Sequence, residues 1–236
     1  MIHEIKNNIC PDTGKINKDN FKIIYITPMR ALATEMTDNF TKKLTKSVGL
    51  TVKELTGDNQ LTHEEIKKTQ VLVVTPEKLD ILTRKIKENS QLIEQIKLLI
   101  FDEIHLLQTD RGSVVESLVA RIVRHVESAQ KMIRLVGLSA TLPNYLDIAD
   151  FLRVNTKQGL FFFDSRFRPV PLIQTFIGCK SVNKIQVQKD MDEICFDKVV
   201  KQVQKGNQCM IFVHTRHGTF KTATYLKGWY HLFFAS

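Results

Sequence analysis

The clearest pattern along the chain is a set of short apolar runs separated by stretches of helical periodicity. Residues 21–26 (FKIIYI), 50–55, 71–74 (VLVV), 98–101 (LLIF) and 133–138 (IRLVGL) are short, β-branched and bounded by polar residues, which predicts strands. Several are apolar without alternation, as expected of parallel strands buried on both faces. Between them, residues 113–128 place Val114, Val115, Leu118, Val119, Ile122, Val123 and Val126 on one face at helical spacing. Ser113 with Glu116, and Thr62 with Glu65, have the spacing of capping boxes. The sum is an open, mostly parallel α/β sheet with helices on both faces.

Residues 166–172 (RFRPVPL) break this pattern, because two prolines at alternate positions prevent a helix and favour an extended connector. The alternation then restarts with a predicted strand at 174–177, a helix at 191–204 and a strand at 209–213. The expected organisation is a first lobe over residues 1–167, a connector over 168–172 and an incomplete second lobe over 173–236.

Composition narrows the class. No apolar run reaches the roughly 18 residues of a membrane span, and the N-terminus lacks the apolar core of a secretory signal. Cys10, Cys179, Cys195 and Cys209 are scattered without a Cys-x-x-Cys pair, against a disulfide scaffold or a cysteine zinc site. The expectation is a soluble, reduced, intracellular protein, nuclear or cytoplasmic. The net charge of +9 suggests a polyanionic partner, most simply nucleic acid. That surplus is uneven: 24 basic residues face 21 acidic over 1–167, and 10 face 4 over 168–236.

In open α/β sheets ligands bind at the carboxyl ends of the strands, so the residues after each run carry the chemistry. After LLIF come Asp102, Glu103, Ile104 and His105. The first carboxylate can hold Mg²⁺, directly or through water, and the second can orient and deprotonate an attacking water. His105 lies near enough to sense the same site. After IRLVGL, the hydroxyls of Ser139 and Thr141 could bond those carboxylates, or cap the next helix with Asn144 as the rival cap. Thr27-Pro28-Met29-Arg30 and Thr75-Pro76-Glu77-Lys78 each read as strand, threonine cap, proline at the first helical position, then helix. Two helix starts with a basic residue in the first turn suit a phosphodiester backbone, although ordinary capping gives the same sequence. Gly57, in Thr56-Gly57-Asp58, permits a tight turn with free N–H groups, or a plain turn. Arg216 follows the last predicted strand, from which it could reach a phosphate across an interdomain cleft. His214 and His217 lack a third metal ligand.

A phosphate cradle of the form G-x-x-x-x-G-K-[ST] is not found in the 236 residues. Thr13-Gly14-Lys15 is a superficial match, with Ile9 in place of the first glycine and Ile16 in place of the Mg²⁺-binding hydroxyl.

Taken in order, PMRALA (28–33), TGD (56–58), TPEK (75–78), DEIH (102–105), DRG (110–112), SATLPNY (139–145), RPVPL (168–172) and FVHTR (212–216) resemble the Ski2-like DExH-box helicases of superfamily 2, specifically the large members with two tandem cassettes. The resemblance implies a motor of two RecA-like lobes with ATP and Mg²⁺ in the cleft and single-stranded nucleic acid, RNA or DNA, across the top. It implies that Asp102 coordinates Mg²⁺, Glu103 activates water, and Ser139 and Thr141 couple hydrolysis to movement. It further implies that Pro28, Arg30, Gly57, Thr75, Glu77 and Lys78 line the nucleic-acid path, and that the full-length protein works in a multi-subunit complex. Leu79 stands where the family usually has tryptophan, and the tail 227–236 departs from the family pattern. The phosphate loop is expected upstream of Met1 and the late second-lobe motifs beyond the tail. The expectation is therefore a helicase fragment, inactive alone, or a non-catalytic module that binds nucleic acid or a partner. A sheet without the phosphate-loop strand exposes unpaired backbone groups, which predicts marginal stability for the isolated chain.

Overall fold

The computed structural model describes residues 1–84 and 90–234. The chain divides into two compact units, Met1–Phe162 and Phe163–Ser236. The first unit runs α1 (Ile2–Asn7), β1 (Lys22–Ile26), α2 (Arg30–Phe40), a π-helical turn (Thr41–Thr45), α3 (Lys46–Val48), β2 (Val52–Leu55), α4 (His63–Lys68), β3 (Val71–Val74), α5 (Pro76–Arg84), α6 (Ser90–Gln95), β4 (Ile96–Phe101), a 3₁₀ turn (Ile104–Gln108), α7 (Gly112–Ala129), β5 (Arg134–Gly137) and α8 (Tyr145–Phe151). A 3₁₀ turn (Ser165–Phe167), α9 (Lys184–Val203) and α10 (Arg216–Phe234) belong to the second unit.

The five strands expected in the first lobe all form, in one parallel sheet of order β2-β3-β1-β4-β5. The three inner strands are apolar on both faces because both faces are covered. One face sends Ile24, Ile26, Leu72, Val74, Leu99 and Phe101 into a core shared with Leu79 of α5 and Leu118, Val119 and Ile122 of α7. The opposite face packs Ile23, Tyr25, Val71, Val73, Leu98 and Ile100 against Ile5 of α1 and Ala33 of α2, with Met36 and Phe40 alongside. The strand succession runs one way from β1 to β2 and the other way from β2 to β5, so crossovers of the usual right hand place helices on both faces. α5 and α7 are also joined by charge: Asp80, buried, is met by Arg121 Nη1 at 3.0 Å and Arg84 Nη2 at 2.7 Å.

Lys22 breaks the apolar rule at the start of β1. It is fully buried, and its Nζ donates to the carbonyls of Ile66 (2.8 Å), Lys67 (2.9 Å) and Thr69 (2.6 Å). These carbonyls lie at and just beyond the C-terminal end of α4, the negative end of its dipole, where the Ile66 carbonyl also accepts from the Thr69 N–H (3.2 Å). Burial pushes the Lys22 ammonium down to about 8.

Of the two expected capping boxes, the Thr62–Glu65 box forms, with both reciprocal bonds present. The Ser113–Glu116 box does not. α7 begins earlier, at Gly112 with Arg111 in the cap position, and the Ser113 carbonyl instead accepts from Ser117. The early start follows from packing: a Cβ on Gly112 would lie 1.7 Å from the Leu107 carbonyl oxygen. The expected Thr27 cap also fails. The residue before a proline is held extended, so Thr27 prolongs the ladder by donating its N–H to Val74 O (3.0 Å). α2 starts two residues later, capped by extended Met29. At the equivalent position after β3, Pro76 does open α5, and Leu79 N–H donates to the Thr75 carbonyl (3.1 Å).

In the second unit the helix expected at 191–204 starts at Lys184, where the Asn183 side chain accepts from Ile185 N–H. The strands expected at 174–177 and 209–213 are absent among the described residues. A strand needs a neighbour to complete its ladder, and neither segment has one. Phe176 is 90% exposed and Phe212 87%.

Candidate functional site

The strand registers bring the functional segments to one rim. Ile26 is level with Val74 and with Phe101, Leu55 with Val74, and Phe101 with Gly137. Every strand therefore ends at the same height, and residues 27–30, 56–58, 75–78, 102–105 and 138–141 all emerge from the carboxyl edge.

Asp102 leaves the end of β4 with its N–H donated to Ile26 O (2.8 Å). Its carboxylate is held on both oxygens: Tyr25 Oη donates to Oδ2 (2.7 Å), and Glu103 N–H donates to Oδ1 (3.0 Å). Burial and the hydrogen bond to this carboxylate push the Tyr25 hydroxyl well above the ordinary tyrosine range. Glu103 is left-handed, with φ 52° and ψ 44°. That conformation costs a non-glycine residue roughly 1–2 kcal/mol and turns the chain sharply off the sheet into the 3₁₀ turn. Half-buried Glu103 points Oε2 to within 3.3 Å of His105 Nδ1.

His105 Nδ1 also lies 3.4 Å from the Ala140 N–H, which donates to it. The DEIH segment thus touches the Ser139-Ala140-Thr141 loop through a backbone amide. The side chains of Ser139 and Thr141 are exposed, and neither bonds Asp102 or Glu103. Neither caps α8: its cap position is Asn144, whose side chain makes no capping bond. The expected hydroxyl-to-carboxylate contact is therefore replaced by the imidazole.

The other expected residues fall into two groups. Arg30 Nη1 reaches both carboxylate oxygens of Asp58 (2.9 and 2.8 Å), and its guanidinium lies over Gly57, where a Cβ would meet Nη2 at 2.7 Å. Pro28 and Glu77 are linked by Arg111, which donates from Nη1 to the Pro28 carbonyl and holds Nε 3.6 Å from Glu77 Oε1. Thr75 is buried beside them, and Lys78 is half-buried on the first turn of α5. A shallow, mainly apolar cleft lined by Pro28, Pro76, Ile104, Leu107 and Arg111 opens next to Asp102 and Glu103. Arg216 lies in the second unit, exposed, at the first position of α10.

Sequence reasoning missed Tyr25 and Arg111. Tyr25 carries no local signal, since its partner is 77 residues away. Arg111 was within reach: it is the central residue of the DRG segment.

Asp102 offers hard carboxylate oxygens that suit Mg²⁺. Among the described residues no cluster of three or more His, Cys, Asp or Glu could hold a metal unaided. Among the described residues no helix is long and apolar enough to cross a membrane.

A parallel five-stranded sheet with helices on both faces and an acidic pair at the carboxyl end of β4 defines a RecA-like lobe. The DEAD/DEAH box helicase family model matches residues 2–148, and the chain belongs to that family. It is 58% identical over 223 residues to activating signal cointegrator 1 complex subunit 3 of Danio rerio, covering 94% of this chain and 14% of that protein. It is 53% identical to the DExH-box ATP-dependent RNA helicase DExH14 of Arabidopsis thaliana, covering 94% of this chain and 10% of that one. The chain thus spans about a tenth to a seventh of the length of these relatives. In fold it is similar to the DUF1998 helicase MrfA in a crystal structure bound to DNA and AMPPNP, with TM-score 0.64 and 16% identity over 90% of this chain and 30% of that one.

Proposed function

We propose that this chain is part of a Ski2-like, ATP-dependent nucleic-acid helicase and supplies the hydrolytic acids and one wall of the nucleic-acid path. The observation that carries the reading is Asp102, fixed on both carboxylate oxygens at the end of β4, with Glu103 turned beside it. When bound, Mg²⁺-ATP supplies the phosphoanhydride whose hydrolysis powers such motors. Asp102 would hold the ion, and its two hydrogen bonds fix where its oxygens point. Glu103 would orient a water and accept its proton. His105 Nδ1 can either donate to Glu103 or accept from Ala140 N–H, and that alternation would link Glu103 to the loop of Ser139 and Thr141. Pro28, Arg30, Gly57, Thr75, Glu77 and Lys78 would form the wall toward the phosphodiester backbone. The subunit name of the Danio rerio relative supports assembly of the whole protein into a complex.

The 236 residues contain no phosphate cradle. The chain by itself is therefore proposed to bind nucleic acid without turning over ATP, which also favours the second reading, a non-catalytic binding module. Phosphate release measured with and without oligouridylate checks this. The expected result is no stimulated turnover, with Glu103→Gln identical to the parent. Robust turnover abolished by Glu103→Gln would overturn it.

A further inference from the structure

Arg111 occupies a position that its motif does not explain. Its backbone is tied to the acidic segment: it caps α7 directly after the 3₁₀ turn that follows Glu103, and Gly112 leaves no room for even a methyl group against the Leu107 carbonyl. Its guanidinium is tied elsewhere, donating to the Pro28 carbonyl after β1 and facing Glu77 Oε1 at 3.6 Å on α5. One residue thus spans three of the five strand ends. It also lines the cleft beside Asp102 and Glu103.

We infer that Arg111 is a positioning residue that holds the Pro28 and Glu77 segments in register with the acidic pair, so that nucleic-acid engagement and the hydrolytic site share one rigid connection. This rests on the reading that residues 28–30 and 75–78 face a phosphodiester backbone. Two features support positioning over direct phosphate contact. The guanidinium donates to the Pro28 carbonyl and faces the Glu77 carboxylate at 3.6 Å. Its carbonyl acceptor belongs to a proline, whose φ is fixed, so the bond sets the direction of the peptide that leads into α2. A planar fork with donors in several directions can serve a carbonyl and a carboxylate at once, which a lysine ammonium on a flexible stem does less well.

The test uses the full 236-residue chain in two measurements. The first is hydrogen exchange of the nucleic-acid-free protein, parent against Arg111→Ala and Arg111→Lys. Arg111→Ala is expected to raise exchange together in the peptides covering residues 27–31, 75–79 and 102–107, while the amides of β3 and β4 stay protected. Unchanged exchange at any of the three segments, or raised exchange throughout the unit, overturns the proposal. The second is anisotropy of a fluorescein-labelled oligouridylate across a salt series. Arg111→Ala is expected to bind roughly three- to tenfold more weakly with the parent's salt slope, and Glu77→Gln is expected to add little to it. A slope reduced by about 0.7, the signature of one lost phosphate contact, overturns positioning in favour of direct contact. If the parent itself does not bind, the nucleic-acid reading fails, and the exchange result alone decides the role of Arg111.

Discussion

Tyr25 donates its hydroxyl to Asp102 Oδ2 at 2.7 Å, across the boundary between two adjacent parallel strands. The bond holds one carboxylate oxygen from the neighbouring strand, while the Glu103 N–H holds the other. It also fixes the protonation of the tyrosine, which burial and the carboxylate push upward from its ordinary value near 10.

The pH dependence follows from the sign of that shift. Below pH 10 the hydroxyl is protonated in both folded and unfolded chains and contributes no slope. Above it the unfolded chain loses the proton while the folded one keeps it, so stability falls as pH rises. In Tyr25→Phe this alkaline loss should disappear, and at neutral pH the variant should be about 1–2 kcal/mol less stable from the lost charge-assisted bond. Urea unfolding of parent and variant on both sides of pH 10 measures both effects.

Lys22 behaves in the opposite sense at an overlapping pH. Its folded value of about 8 lies below the ordinary 10.5. Between those values the unfolded chain carries a proton that the folded chain has released, so stability climbs as pH rises through that window. Lys22→Met should abolish the climb. At neutral pH it should still cost roughly 1–3 kcal/mol, because carbonyls of Ile66, Lys67 and Thr69 lose their donor. A variant as stable as the parent at pH 7 would show that water satisfies these carbonyls equally well.

Asp80 and Arg121 bind α5 to α7 through a pair in which the aspartate side chain is only 8% exposed and the arginine 23%. Removing one partner of such a pair leaves the other charge buried. Asp80→Ala is expected to lose about 3 kcal/mol, and Arg121→Met somewhat less, since the more exposed Arg84 still reaches Asp80. Chemical denaturation of the two single variants and the double variant gives the coupling. Additivity would mean that the pair contributes nothing as a pair.

Two glycines of the rim contrast in the same way. A Cβ on Gly112 meets the rigid Leu107 carbonyl, whereas one on Gly57 meets the far end of the Arg30 side chain. Gly112→Ala should therefore cost about 3 kcal/mol or more by forcing the 3₁₀ turn from α7. Gly57→Ala should shift Arg30 with little change in stability. Thermal melts of the two variants separate the outcomes, and equal melting temperatures would contradict the packing around Leu107.

Legibility of the molecule in its sequence tracked how local the cause was. The five strands were readable because both faces of the inner ones are buried, which leaves uninterrupted apolar runs such as VLVV. Strand starts shifted because Leu50, although buried, lies outside the ladder that begins at Val52. The apolar runs at 174–177 and 209–213 look the same in sequence but form no strand, since pairing is a property of the neighbour and not of the run. At the rim, the order of the motifs located every segment. The connections between segments were not visible, because Tyr25–Asp102, Arg111–Pro28 and His105–Ala140 join residues 77, 83 and 35 positions apart.

Arg30 shows what such a connection does to a functional expectation. As a free guanidinium on the rim it would be an obvious phosphate contact, yet it holds Asp58 through both carboxylate oxygens. The pair is exposed, 62% for the arginine side chain and 71% for the aspartate. An exposed pair of this kind contributes only about 0.2–1 kcal/mol, so a phosphate can replace the carboxylate at small cost. Asp58→Ala should accordingly tighten single-strand binding severalfold by releasing the arginine. Arg30→Ala should weaken binding and flatten the salt dependence by about 0.7 in slope. Anisotropy titrations across a salt series distinguish this from the alternative in which Arg30 only braces the turn at Gly57. In that case both substitutions weaken binding and neither alters the slope.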